Sequence, residues 1–220
     1  LLGYLEVINQ RQQVETLLKA TGSNDRIHGR FDPTATDTGR FSSSSPNMQS
    51  IGRGEIRRAF IAASSCQLVI ADYSQIELRA AAVIAKDETM LAAYQSGEDI
   101  HARTAASILG KPIKQVTKQD RQLAKAVNFG LLYGQSANGL VTYAKRGFEV
   151  DLTDEEATSL HKKFFAAYQG LKKWHEEARA KANSKVNEVR TLMGRRKLLP
   201  PNSRDTFWTR FSAGFLNMVI

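Results

Sequence analysis

Arg121, Lys125, Phe129 and Tyr133 stand at steps of four, a spacing that a helix gathers on one side. Each step turns about 40° past one full turn, so the four side chains form a slowly drifting stripe. The stripe is cationic in its first half and aromatic in its second. Such a surface suits a ligand with a polyanionic tail and a flat, stackable head, as in a nucleoside triphosphate. Gly130 and Gly134 carry no side chain and are expected to let a large group approach the backbone closely. An amphipathic helix with solvated cations and two core aromatics has the same spacing, so context must separate the two readings.

The chain has 220 residues and is 42% hydrophobic, enough for a real core and one or two compact lobes. It starts at Leu1 and ends on an apolar run, Phe215 to Ile220; both ends are expected to be cuts from a longer protein. The lack of a signal peptide at this N-terminus therefore says little about targeting. No apolar run approaches the roughly 20 residues of a membrane span. The single cysteine, Cys66, rules out an intrachain disulfide and a cysteine-rich zinc site and fits a reducing compartment.

The formal net charge is +9 and is unevenly placed. Residues 171–210 hold eleven Lys and Arg against four acids, a surplus of seven in 40 residues. A polyanionic partner is the natural inference, nucleic acid first; a solvated basic surface would show the same surplus.

Local patterns divide the chain. Residues 1–20 are predicted helical, and Thr21 to Asp25 breaks them. Residues 26–51 are rich in Thr, Ser, Asn and Gly and carry Arg30 and Arg40. That mixture suits hydrogen bonding to a phosphodiester backbone, or a plain polar surface loop. Gln67 to Ala71 is predicted to be a buried strand ending at Asp72. A carboxylate there needs a metal ion or a cationic partner, or serves as a helix cap. Ile76 to Ala85 is predicted helical, with Glu77 in its first turn, where the dipole favours a negative charge. Asp72 and Glu77 are thus expected to lie close together.

Further helices are predicted within residues 86–97 and from Asp99 to Gly110, with His101 in the first turn of the second. The stripe helix is predicted over 118–134, and another segment ends near Gly147. A long helix follows, opened by a capping box of Thr153 and Glu156 and running through Phe164, Tyr168, Leu171 and Trp174. Residues 189–199 are predicted to form a basic hairpin around Met193-Gly194-Arg195. A last helix is predicted from Thr206 to Ile220, with Arg210 and Asn217 on it.

These features in this order resemble the family A DNA polymerases, of the bacterial DNA polymerase I type. Asp72-Tyr73-Ser74-Gln75-Ile76-Glu77-Leu78-Arg79 looks like that family's first catalytic motif. Arg121 to Gly134 looks like its nucleotide-binding fingers helix. Thr36-Asp37-Thr38-Gly39-Arg40-Phe41-Ser42-Ser43, with Pro46-Asn47 and Gln49, resembles its primer-template segment. Asp99-Ile100-His101 and Thr191-Leu192-Met193-Gly194-Arg195-Arg196 also match. The similarity spans residues 26–220.

The resemblance implies an α/β right-hand polymerase fold, with a partial antiparallel palm sheet and a mainly helical fingers subdomain. Its subdomains are expected at 1–25 (end of the thumb), 26–85 (palm), 86–188 (fingers) and 189–220 (return to the palm). It implies a template-directed DNA polymerase using two Mg²⁺ ions, with primer-template DNA and dNTP as partners, no membrane, and a cytoplasmic setting in a bacterial or viral host cell. Repair and replicative roles fit the motifs equally well. By resemblance, Asp72 and the Tyr73 carbonyl would hold metal. Arg121, Lys125 and His101 would hold the triphosphate, with Lys125 a candidate proton donor to the leaving pyrophosphate. Phe129 would pack on the sugar, and Tyr133 would sit near the templating position. Gln75 would help place the sugar or primer terminus, and Glu77 would exclude ribonucleotides at the sugar's 2′ edge. Arg40, Asn47, Gln49, Arg195 and Asn217 would contact the duplex.

The family's last motif, a His-Asp-Glu turn carrying the second metal-binding aspartate, does not occur in the sequence, and Gly52 stands where many relatives have Pro. The 220 residues alone are therefore expected not to polymerise DNA. The alternative is a non-catalytic nucleic-acid-binding module derived from a polymerase. Glu77 argues against a single-subunit RNA polymerase. A P-loop NTPase is unsupported, since no Gly-x4-Gly-Lys-Ser/Thr occurs.

Overall fold

Capping side chains set the helix starts. Asp87, Asp99, Thr117, Ser136 and Thr153 each accept a hydrogen bond from a backbone N–H in the first turn of the helix they precede. These are donors that no carbonyl within the helix can satisfy. The computed structural model describes residues 2–36, 38–52, 54–184 and 188–199. The helix predicted from Thr206 to Ile220 lies outside these residues, as do Arg210 and Asn217.

The chain divides into two units, Leu1–Asp72 and Tyr73–Ile220. In the first, helix α1 (Leu2–Ala20) is followed by two short strands, β1 (Arg30–Asp32) and β2 (Ser42–Ser44). They pair antiparallel with Phe31 opposite Ser43. A one-turn helix, α2 (Glu55–Arg58), comes next. Gln13 ties α1 to the segment beyond β2: its amide nitrogen donates to the Ser50 carbonyl at 2.8 Å, and its oxygen accepts from the Gly52 N–H at 3.2 Å.

The second unit is helical. Its helices are α3 (Ile76–Ile84), α4 (Glu88–Gln95), α5 (Ile100–Leu109), α6 (Lys118–Leu132), α7 (Ala137–Phe148), α8 (Asp154–Ala167) and α9 (Gln169–Ala182). A hairpin of β3 (Glu188–Arg190) and β4 (Arg196–Leu198) follows, turning at Gly194 with φ +84°. Leu78, Met90, Ile100, Ile108, Leu131, Leu140, Phe164 and Leu171 are fully buried in one core. That continuous apolar interior supplies most of the drive to fold.

Two expectations need correction. Gln67 to Ala71 is not a buried strand. It has no regular structure, and Val69 and Ile70 are 90% and 92% exposed. A strand exists only through hydrogen bonds to a neighbour, and no described strand pairs with this segment. The long helix expected through Phe164 and Trp174 is two helices, broken at Tyr168 with φ −116° and ψ 78°. Two contacts hold the break. The Tyr168 phenol is 2.7 Å from Thr104 Oγ1 on α5. The buried Asp87 carboxylate accepts from the Leu171 N–H at 3.0 Å while its other oxygen caps α4. Gly170 permits this clasp, because a Cβ there would lie 2.6 Å from Asp87 Cα and 2.8 Å from the Ala85 carbonyl oxygen.

Candidate active site and nucleotide-binding face

Helix α6 begins with a reciprocal capping box between Thr117 and Asp120. Asp120 also takes an ion pair from Lys111 at 2.7 Å. Lys111 and the Thr117 hydrogen bonds hold its carboxyl down at about 2. This start fixes the helix phase and hence the side on which the stripe lies. Arg121 and Lys125 are half-buried; Phe129 and Tyr133 pack against the core with part of each ring exposed. The helix ends at Leu132, so Tyr133 occupies its C-terminal cap rather than a further turn.

His101 joins this face from α5. Its ring sits 5.8 Å from that of Phe129 and is almost wholly buried. Arg121 Nε donates to Asp99 Oδ2 at 2.7 Å, while Asp99 Oδ1 caps α5 by accepting from the His101 and Ala102 N–H groups. One carboxylate thus aligns the arginine and starts the helix that carries the histidine. Burial first, then the Arg121 charge, pulls the His101 pKa down to about 4; Lys125 acts in the same direction and Asp99 opposes. The imidazole is neutral at pH 7. Lys125 Nζ lies 5.9 Å from the centroid of the Phe148 ring on α7.

The glycines split. Gly134 has φ +79° and makes the turn after α6. Gly130 serves a different end from the one expected. It is buried, and a Cβ on it would come within 2.8 Å of Leu140 and 3.1 Å of Tyr143. Helix α7, not a ligand, makes the close approach there.

Tyr73 is exposed, and Gln75 adopts φ +55° at the start of α3. That conformation is uncommon for a residue with a side chain. It does not cap the helix with its side chain. Glu77 is in the first turn, as expected, and its charge adds to burial in raising the Tyr143 phenol. Arg79 donates to the Ser74 carbonyl at 3.0 Å and lies 4.4 Å over the Tyr94 ring. Asp72 is exposed at the end of the first unit. It is not the cap of α3, a place Gln75 holds.

In the first unit Arg40 is exposed, Asn47 accepts from the Gln49 N–H, and Gln49 donates to the Phe41 carbonyl at 3.0 Å. Asn47 and Gln49 thus brace their own loop. Arg195 is exposed at the hairpin turn, its N–H donating to Thr191 Oγ1. Sequence reasoning missed Asn128, a fully buried amide on α6. The available signal was an asparagine inside the otherwise apolar run from Ala126 to Leu132, where a polar group needs a partner.

The family model for DNA polymerase family A matches residues 1–213. The chain belongs to DNA polymerase family A. Within this family, the chain is 45% identical over 181 residues to a DNA polymerase I of Aquifex aeolicus (strain VF5), covering 81% of this chain and 31% of that one. It is 37% identical over 210 residues to the DNA polymerase I of Mycobacterium leprae (strain TN), covering 91% of this chain and 22% of that one. The chain therefore spans about a third or less of the length of these relatives. Among solved structures it resembles the POL domain of Pol1 from M. smegmatis in complex with DNA primer-template and dNTP. The TM-score is 0.85 and the identity 32%, over 99% of this chain and 38% of that one. The fold is thus the α/β polymerase type, represented among the described residues by helices and two small antiparallel pairs.

A hard divalent cation needs oxygen donors, and the exposed carboxylate of Asp72 is of that kind. Among the described residues no group of three or more His, Cys, Asp and Glu could hold a metal ion. The donor chemistry fits Mg²⁺, and the donor number covers part of a site. No described helix is long and apolar enough to cross a membrane.

Proposed function

We propose that this chain supplies the nucleotide-binding part and one metal-binding carboxylate of a DNA-directed DNA polymerase, which transfers a nucleotide from dNTP to a primer 3′-hydroxyl. The observation that carries the reading is the convergence of Arg121, His101, Lys125 and Phe129 around α6 in a member of DNA polymerase family A. The Pol1 domain that resembles it was solved with primer-template and dNTP.

Arg121 and Lys125 bind the triphosphate by charge and by directed N–H groups. Their work is positioning and electrostatic stabilisation, the main levers available in phosphoryl transfer. Lys125 can also pass a proton to the departing pyrophosphate. Phe129 packs on the sugar, Tyr133 stands near the templating base, and Gln75 places the sugar or primer terminus. Glu77 excludes a 2′-hydroxyl. Arg40, Asn47, Gln49, Arg195 and Asn217 hold the duplex. Asp72 and the Tyr73 carbonyl would hold Mg²⁺, which when bound stabilises the attacking and leaving oxygens. The family's subdomains then follow as thumb end (1–25), palm (26–85), fingers (86–188) and palm return (189–220).

One carboxylate does not hold two Mg²⁺ ions, so the 220 residues by themselves do not extend a primer. The test is single-nucleotide primer extension by this chain alone and by a protein that joins it to the His-Asp-Glu motif. Extension by the longer protein alone, abolished by Asp72→Ala, is expected. Extension by the 220 residues refutes the single-carboxylate argument. Failure of the longer protein to extend, with DNA bound independently of dNTP, would establish a binding module instead.

A further inference from the structure

Beneath the nucleotide-binding face runs a polar chain with no exposed member. Tyr168, Thr104 and Asn128 are fully buried, and His101 is nearly so. The Tyr168 hydroxyl lies 2.7 Å from Thr104 Oγ1, Thr104 Oγ1 lies 3.0 Å from Asn128 Oδ1, and Asn128 Nδ2 lies 2.8 Å from His101 Nδ1. The chain starts at the break between α8 and α9, crosses α5, passes through α6 and returns to α5. Thr104 also sits 2.8 Å from the Ile100 carbonyl oxygen. Its single proton serves one acceptor at a time; when that acceptor is Asn128 Oδ1, the Tyr168 hydroxyl is the donor of the Tyr168–Thr104 pair.

Four polar side chains in an apolar core are costly unless each has a partner. Here each has one, and the order of the groups sets a direction. The Asn128 oxygen faces the threonine hydroxyl, so its amide nitrogen faces His101. An amide nitrogen can only donate, and Nδ1 can accept only without its own proton. The neutral ring then carries its proton on Nε2.

We infer that Asn128, oriented by Thr104 and Tyr168, is a positioning residue that fixes His101 as the neutral Nε2–H tautomer, so that the ring offers the triphosphate a directed hydrogen-bond donor rather than a third positive charge. This rests on the reading of His101 as a triphosphate ligand. It divides labour on one face: Arg121 and Lys125 supply charge, and His101 supplies direction. The groups facing the ring agree with it. Arg121 and Lys125 on α6 oppose a charge on His101, Phe129 on α6 covers the ring without accepting its proton, and Asp99 at the start of α5 is already engaged by Arg121.

The experiment uses the 220-residue chain labelled with ¹⁵N-histidine. Nitrogen NMR reads the tautomer and charge of His101 between pH 5 and 8, and a fluorescent dATP analogue reads affinity. Wild type is expected to show Nε2–H throughout. Asn128→Asp presents an acceptor to Nδ1; the proton of the neutral ring should move to Nδ1 and leave Nε2 without one, and dATP affinity, read at the pH where the nitrogen shifts show a neutral ring, should fall about tenfold, the loss of one directed hydrogen bond. Tyr168→Phe and Thr104→Val keep the shape of the core and should give a tautomer mixture with a smaller loss, which keeps the test open if Asn128→Asp does not fold. A wild-type Nδ1–H tautomer overturns the inference. So does an unchanged tautomer in all three variants. His101→Ala separates the two layers: unchanged dATP affinity there removes the triphosphate reading, while the NMR result still decides what Asn128 does to the ring.

Discussion

His101 and His175 are the two histidines whose pKa falls to about 4, in both cases through burial first and a nearby arginine second. His175 packs between Phe165 and Trp174, 5.2 and 5.5 Å from their rings. In the unfolded chain each would titrate near 6.5. The unfolded state therefore binds more protons as pH drops below 6.5, and folding loses stability progressively from there toward pH 4. Thermal unfolding at pH 7.0, 5.5 and 4.5 should show a falling melting temperature, and His175→Leu should flatten the fall. A wild-type melting temperature that holds or rises on acidification would contradict the burial of these rings. The stripe residues were legible because helical spacing is a local property. The polar chain behind His101 was not, since Asn128 is 27 residues from His101 and Tyr168 is 64 residues from Thr104, the groups they bond.

Helices were readable where their starts were written in side chains. Thr117 before α6 and Thr153 before α8 both close reciprocal capping boxes. Thr117→Ala should cost about 1 kcal/mol in urea unfolding, and equal midpoints for variant and parent would show that the box adds nothing. The break at Tyr168 was unreadable, because contacts from α5 and from the start of α4 impose it. Glycine substitutions test that packing. Gly170→Ala drives a methyl into the backbone of Asp87 and Ala85 and should destabilise by about 1–3 kcal/mol. Gly147→Ala, with nothing within 4 Å, should stabilise α7 by up to about 1 kcal/mol. Equal effects of the two would remove the argument from close approach. The strand expected at Gln67 to Ala71 failed for the complementary reason: its apolar residues are strand-like, but pairing is not a property of one segment.

For the whole chain, a net charge of +9 and a basic surplus over 171–210 bear on binding rather than on fold. If the partner is primer-template DNA, log affinity should fall linearly with log salt, as counterions return to the phosphates. Fluorescence anisotropy from about 50 to 200 mM salt reads this slope, and a salt-independent dissociation constant would point away from phosphate contacts. The sequence by itself determined the family, the capping box that starts α8 and the cationic-aromatic stripe of α6, since motif order, caps and period are written in neighbouring residues. Only the tertiary structure decided that Gly130 admits α7, that Asp99 aligns Arg121 while starting α5, and that a buried amide holds His101. Those choices depend on which distant atoms share a close-packed interior, where every polar group must find its partner.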